Sequence, residues 1–119
     1  MARGGVDFRD ALTKVFTFKL ADGITAKDEG KAVAIVDPQT AGLGSDGAAL
    51  LGKLIKVEDD GFGSVEISGC LYVPYDNTAP SIGSSVVVDG AGGVKTSTSG
   101  GRGLVIDVDA ARKLAVVVL

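Results

Sequence analysis

Gly69-Cys70-Leu71-Tyr72-Val73-Pro74-Tyr75-Asp76-Asn77-Thr78-Ala79-Pro80 decides how this chain is read. It holds both tyrosines, the single cysteine and two of the three prolines. Cys70–Val73 has the β-branched and aromatic content of a strand. Gly69 breaks the register before it and predicts a bulge. Pro74 and Pro80 make the segment between them a rigid loop, because proline fixes its backbone and offers no amide.

Two valine-rich halves lie on either side of that loop. Gly30-Lys31-Ala32-Val33-Ala34-Ile35-Val36-Asp37 resembles Gly83-Ser84-Ser85-Val86-Val87-Val88-Asp89. Gly52-Lys53-Leu54-Ile55-Lys56-Val57-Glu58 resembles Gly101–Asp109, and each is followed by a turn and a second apolar strand. The order strand, loop, hairpin therefore occurs twice. One short hairpin cannot bury its apolar face alone, whereas two such units can close on each other. The expectation is an all-β fold: a small barrel or β-sandwich-like domain of two pseudo-repeated halves, about 30–73 and 83–119, pseudo-symmetric about the Pro74–Pro80 loop.

Composition supports that class. Of 119 residues, 45% are hydrophobic but only 5% aromatic, so the core must be built from Val, Leu, Ile and Ala. The 18 glycines fall between apolar runs, as tight turns between short strands require. Within the body, Lys31–Val36, Leu50–Glu58, Phe62–Ser68, Ser85–Asp89, Val94–Ser97, Leu104–Val108 and Lys113–Leu119 read as strands. Residues 39–47 read as a surface loop. Leu114–Leu119 is apolar on both faces, which calls for a central strand or a subunit interface.

Residues 1–29 differ from the body. They carry Phe8, Phe16 and Phe18, three of the four phenylalanines, with balanced charge. A short helix is expected near 7–14, where Phe8, Leu12 and Val15 are spaced helically, followed by a strand through Phe16, Phe18 and Leu20. The segment is either the first strand of the domain or an extended N-terminal arm laid on a neighbouring subunit. The arm is the reading adopted for 1–29, with 30–119 as the compact β domain.

Patterns that could carry chemistry are few. There is no histidine, which removes the commonest general base and zinc ligand. Gly42-Leu43-Gly44-Ser45-Asp46-Gly47 matches a dinucleotide glycine pattern, but no helix comes after it to meet a pyrophosphate. Glu58-Asp59-Asp60 reads as a solvated turn, because the alternating ligands of a calcium loop are missing. Asp107 and Asp109 share a strand face beside a turn. Cys70 has no base to activate it. Twelve basic against 15 acidic residues, without clusters, give no footprint for nucleic acid or an anionic membrane. No apolar run reaches the length of a membrane span, and the first residues lack a secretory h-region. No enzyme activity, cofactor or metal is expected. Tyr72 and Tyr75 are candidate interface anchors, with Phe8, Phe16 and Phe18.

Gly52–Val57, Val65–Gly69, Val73-Pro74-Tyr75, Gly83 with Val86–Gly90, and Gly103–Ile106 together resemble the small capsid decoration, or cement, proteins of tailed bacteriophages. The resemblance covers roughly residues 30–119. It implies a virion protein added to the outer capsid surface after assembly in the host cytoplasm. It further implies homotrimers that bind the major capsid protein and reinforce contacts between its subunits. A small β-barrel ligand-binding or carrier module is the other reading of the body. It would need a polar-lined cavity or a modifiable lysine at a hairpin tip, and Lys56 and Lys95 do not sit at such tips.

Overall fold

Ten strands, joined by turns rich in glycine and aspartate, make up the computed structural model, which describes residues 14–119. They are β1 (Lys14–Leu20), β2 (Ala32–Asp37), β3 (Thr40–Gly42), β4 (Gly52–Val57), β5 (Phe62–Ser68), β6 (Cys70–Pro74), β7 (Val86–Val88), β8 (Val94–Thr96), β9 (Leu104–Asp109) and β10 (Leu114–Val118). The only helical turn among the described residues is a 3-10 turn over Ala26–Asp28, capped by Thr25. The chain is all-β, as its composition dictates.

The first five strands close into a barrel in the order β1-β3-β2-β4-β5, with β5 returning to β1. The remaining five form a three-stranded sheet, β6-β10-β9, and a two-stranded sheet, β7-β8. Isolated bridges join these two sheets to the rest: Val86 pairs with Arg102 just ahead of β9, and Ala49 pairs with Val87. Leu114–Val118 is central in its sheet, flanked by β6 and β9. That explains how a strand apolar on both faces is tolerated.

The halves are real, but their boundary lies at Gly69 and not in the Pro74–Pro80 loop. β6 is not the tail of the first half; it is the second half's copy of β1. Each half runs through five strands in the same order, and the connections 21–31 and 75–85 are equal in length. Corresponding backbone hydrogen bonds repeat. The amides of Gly30 and Leu54 donate to the carbonyls of Leu54 and Lys31; those of Gly83 and Val105 donate to Val105 and Ser84. The Leu20 amide donates to Gly61, and the Tyr75 amide to Lys113. Even the bulges match. β4 slips against β5 at Ile55, and β9 slips against β10 at Ile106. Gly69, with φ of 107°, turns the chain out of the barrel and into the second sheet. It is bonded in both directions to Leu119.

The structure corrects two of the sequence expectations. Residues 39–47 are not all loop: β3 lies wholly buried and pairs with both β2 and β1. Its residues Thr, Ala and Gly are small because the barrel is narrow there, so size gave no strand signal. Residues 14–29 also belong to the barrel, since β1 pairs along its length with β5 and parallel with β3. The helix expected near 7–14 lies almost entirely outside the described residues.

Each half has its own core. Leu20, Val33, Ala41, Leu54 and Val65 fill the barrel. The second cluster joins Leu71, Val73, Tyr75, Val86, Val88, Val94, Val105, Ala115 and Val117 to Ala32, Ala34 and Leu50 of the first half. Alternation along β2 produces this sharing: Val33 points into the barrel, while Ala32 and Ala34 point into the second core.

One half closes and the other does not, and a single residue accounts for much of the difference. In the barrel, the Lys19 amide donates to the Gln39 carbonyl at 3.1 Å, and the Ala21 amide to Ala41 at 2.9 Å, sealing β1 to β3. The position matching Lys19 is Pro74, which has no amide. The carbonyl matching Gln39 is that of Gly92, and it accepts the Ala32 amide of the first half at 2.8 Å. Gln39 and Gly92 share a left-handed backbone, with φ of 55° and 98°. β6 and β8 form no ladder, and Tyr75 lies in the second core at the place that the smaller Leu20 takes in the first.

Candidate interaction surface

The five aromatic residues singled out by sequence do not form one patch. Phe8 lies outside the described residues. Phe16 and Phe18 sit on β1, on the side that faces Val65 and Gly63 across the β5 pairing. Phe18 packs partly against the barrel core. Phe16 is 51% exposed. Its copy in the second half is Leu71, which is fully buried because the first half covers it. Phe16 thus occupies a core-type position with no cover among the described residues.

The sequence reading makes Tyr75 an interface anchor, but it is only 8% exposed and belongs to the second core. Tyr72 is 41% exposed. Period-two alternation explains the contrast: Leu71, Val73 and Tyr75 point inward, and Cys70 and Tyr72 outward.

The outward face around Tyr72 is apolar. Tyr72 is the cross-strand partner of Val116, and Val118 is the partner of both Cys70 and Leu104. Tyr72, Leu104, Ile106 and Val118 are all exposed. Val15, Ile35, Val36, Phe62 and Ile82 are exposed elsewhere. Sequence reasoning missed these aliphatic positions. Ile55 and Ile106 carried a readable signal, because two consecutive apolar residues inside an alternating strand mark either a bulge or a second buried face.

The polar candidates serve turns. Asp60 accepts the Phe62 amide at 3.1 Å. Asp109 accepts the amides of Ala111 and Arg112 and pairs with the Arg112 side chain at 3.5 Å. Asp107 accepts the Val108 amide, so the two carboxylates do not act together. Asp89 accepts the amides of Ala91 and Gly93. The Gly42–Gly47 pattern spends its Gly47 amide on the Val88 carbonyl, where a phosphate would need it. Among the described residues, no group of His, Cys, Asp or Glu could hold a metal ion. Cys70, the single cysteine, is half-buried and in no disulfide.

Among the described residues, Asp28 has a perturbed carboxyl. Its carboxyl is held below the usual range, first by the Lys31 side chain at 2.7 Å and then by the Thr25 amide at 2.9 Å. It lines an open groove of about 570 Å3 with Ile24, Ile35, Val36, Leu43 and Gly44. The barrel interior is packed by Leu20, Val33, Ala41, Leu54 and Val65.

No protein-family model matches this chain, and neither curated proteins nor solved structures provide a match.

Proposed function

We propose that this protein is a capsid decoration protein, binding the outside of a phage head as a homotrimer and reinforcing contacts between major capsid subunits. The observation that carries the reading is Phe16: a core-type position, covered in the second half and exposed in the first, with exposed Val15 beside it. Exposed apolar residues of this kind fit an interface better than a solvated surface. The apolar sheet face at Leu104, Ile106 and Val118 supplies a second surface of the same character. The resemblance in strand order, glycines and Pro74 supports the same assignment. At roughly 25 cal/mol per Å2, a few buried rings repeated over many copies make a substantial reinforcement. The protein resides on the virion surface and is assembled in the host cytoplasm.

Co-sedimentation with expanded empty heads of the cognate phage tests the proposal. Wild-type protein pellets with the heads; Phe16→Ser, with an unchanged β-sheet spectrum, binds about tenfold more weakly. Deletion should stop at residue 13, because β1 is part of the barrel. Wild-type protein that stays in the supernatant with cognate heads defeats the proposal.

A further inference from the structure

Aspartate followed by glycine occurs four times in the chain, at Asp22-Gly23, Asp46-Gly47, Asp60-Gly61 and Asp89-Gly90. Each pair carries the same latent reaction. The glycine nitrogen can attack the aspartate side-chain carbonyl carbon, because glycine has no side chain to shield it. Residue type does not rank the four, since the attacking residue is glycine every time. The structure does rank them. The attack needs a carboxyl free to swing, an unbonded amide and a peptide plane with room to turn.

Three of the pairs are held. The Asp46 carboxylate pairs with the Lys95 side chain, and the Gly47 amide donates to the Val88 carbonyl at 2.9 Å. Asp89 Oδ1 accepts the amides of Ala91 at 2.8 Å and Gly93 at 3.0 Å. Gly90 is also hemmed in, since a methyl on it would lie 2.9 Å from the Asp46 nitrogen. Asp60 Oδ1 accepts the Phe62 amide at 3.1 Å, a single restraint on an exposed turn.

Asp22-Gly23 has none of these restraints. It forms the exposed turn that follows β1. Among the described residues nothing hydrogen-bonds to the Asp22 carboxylate or to the Gly23 amide. Apart from its chain neighbours, no atom lies within 4 Å of the place a methyl on Gly23 would take. One long bond spans the turn, from the Ile24 amide to the Ala21 carbonyl at 3.3 Å. Both residues line the open groove, where water reaches them.

We infer that Asp22-Gly23 is the chain's site of spontaneous backbone isomerisation. The Gly23 nitrogen bonds to Asp22 Cγ. A Cγ–O bond breaks, and the hydroxyl leaves with the amide proton as water. The product is a five-membered succinimide ring. Water then adds to one of the two ring carbonyls. Opening at the main-chain carbonyl breaks its bond to the Gly23 nitrogen and leaves the chain running through Cγ, as isoaspartate. No oxidant or reductant takes part, and the final mass is unchanged. The added backbone carbon falls between Ala21, whose amide seals β1 to β3 through Ala41, and Ile24, which packs against the barrel core. The reaction needs no capsid and stands apart from the proposed function.

The test is to hold the full wild-type chain in heavy-oxygen water near neutrality and then map its peptides. Each passage through the ring takes one oxygen from the solvent, so the label counts turnover at each aspartate. A bond that restrains the carboxyl or the amide has to break before attack, which slows the reaction about tenfold. Asp22 should therefore gain label about tenfold or more faster than Asp46 or Asp89, with Asp60 between them. Fragmentation of the peptide should show isoaspartate at position 22. In the urea-unfolded chain the four rates should converge. Even labelling of the four pairs in the folded chain would overturn the inference, as would fastest turnover at any pair but Asp22. So would a lead at Asp22 that persists unchanged in urea, because it would place the preference in the sequence and not in the fold.

Discussion

The barrel of residues 14–68 and the open pair of sheets at 70–118 carry one strand plan with two outcomes. The barrel seals because β1 ends in residues that can donate. The second half has Pro74 at the matching place, and the carbonyl that would have accepted turns instead to the Ala32 amide of its neighbour. A lost closure within one unit is thus replaced by a bond between units. The open half is stabilised by the closed one, which lends it Ala32, Ala34 and Leu50 as core and the Ala48 segment as an edge strand.

The comparison is broken most severely at Gly52. A methyl there would run into the Glu66 carbonyl oxygen, a backbone atom that cannot move aside. Gly52→Ala should cost at least about 4 kcal/mol in urea unfolding. At Gly103, in the second half, the methyl meets mainly the Val117 and Leu119 side chains, with a backbone oxygen at 3.0 Å. With its φ of 76° adding strain, Gly103→Ala should cost about 2 kcal/mol, and a cost equal to that at Gly52 would show that β4 and the segment leading into β9 are held alike. Next comes Tyr75. Tyr75→Ala should lose about 3–5 kcal/mol, more than Leu20→Ala, because the larger buried side chain leaves the larger cavity. A Tyr75→Ala protein that unfolds at the wild-type urea concentration would return this residue to the surface.

Arg102 sharpens the comparison from the other side. Its guanidinium donates to the carbonyls of Leu50, Leu51 and Ile67, tying the second half to the first. The side chain is exposed, so Arg102→Met should cost only about 1–2 kcal/mol. It should also speed amide exchange in 70–118 more than in 14–68, and uniform acceleration would remove its coupling role. The smallest effect is acid-dependent. Because the Asp28 carboxyl titrates below its unfolded value of about 3.9, its contribution is present above that pH and is lost as pH falls through the lower folded value. Asp28→Asn should flatten that limb of the acid-unfolding curve, and an unchanged limb would assign it to other carboxylates.

The hairpins 52–68 and 104–118 were legible because Val and Ile alternate there and Asp-Gly or Asp-Ala turns separate the strands. The phase of the repeat was not. Strands stand directly on both sides of Gly69 with no loop between them, so β6 read as a continuation of β5, and the prolines drew the boundary to the wrong loop. β3 was invisible because its Thr, Ala and Gly are buried without being large. Of the candidate surface, Tyr72 could be told from Tyr75 by alternation alone, had Pro74 been counted as part of the strand.

The pair of bonds between Gly69 and Leu119 has a topological meaning. In each half the first strand lies beside the last, Lys14 against Ser68 and Cys70 against Val118. A unit whose beginning and end are neighbours can be copied head to tail in a gene, with one glycine as the join and no strand rerouted. The same adjacency makes the chain suited to circular permutation at Gly69, with the new ends emerging side by side at the boundary between its two halves.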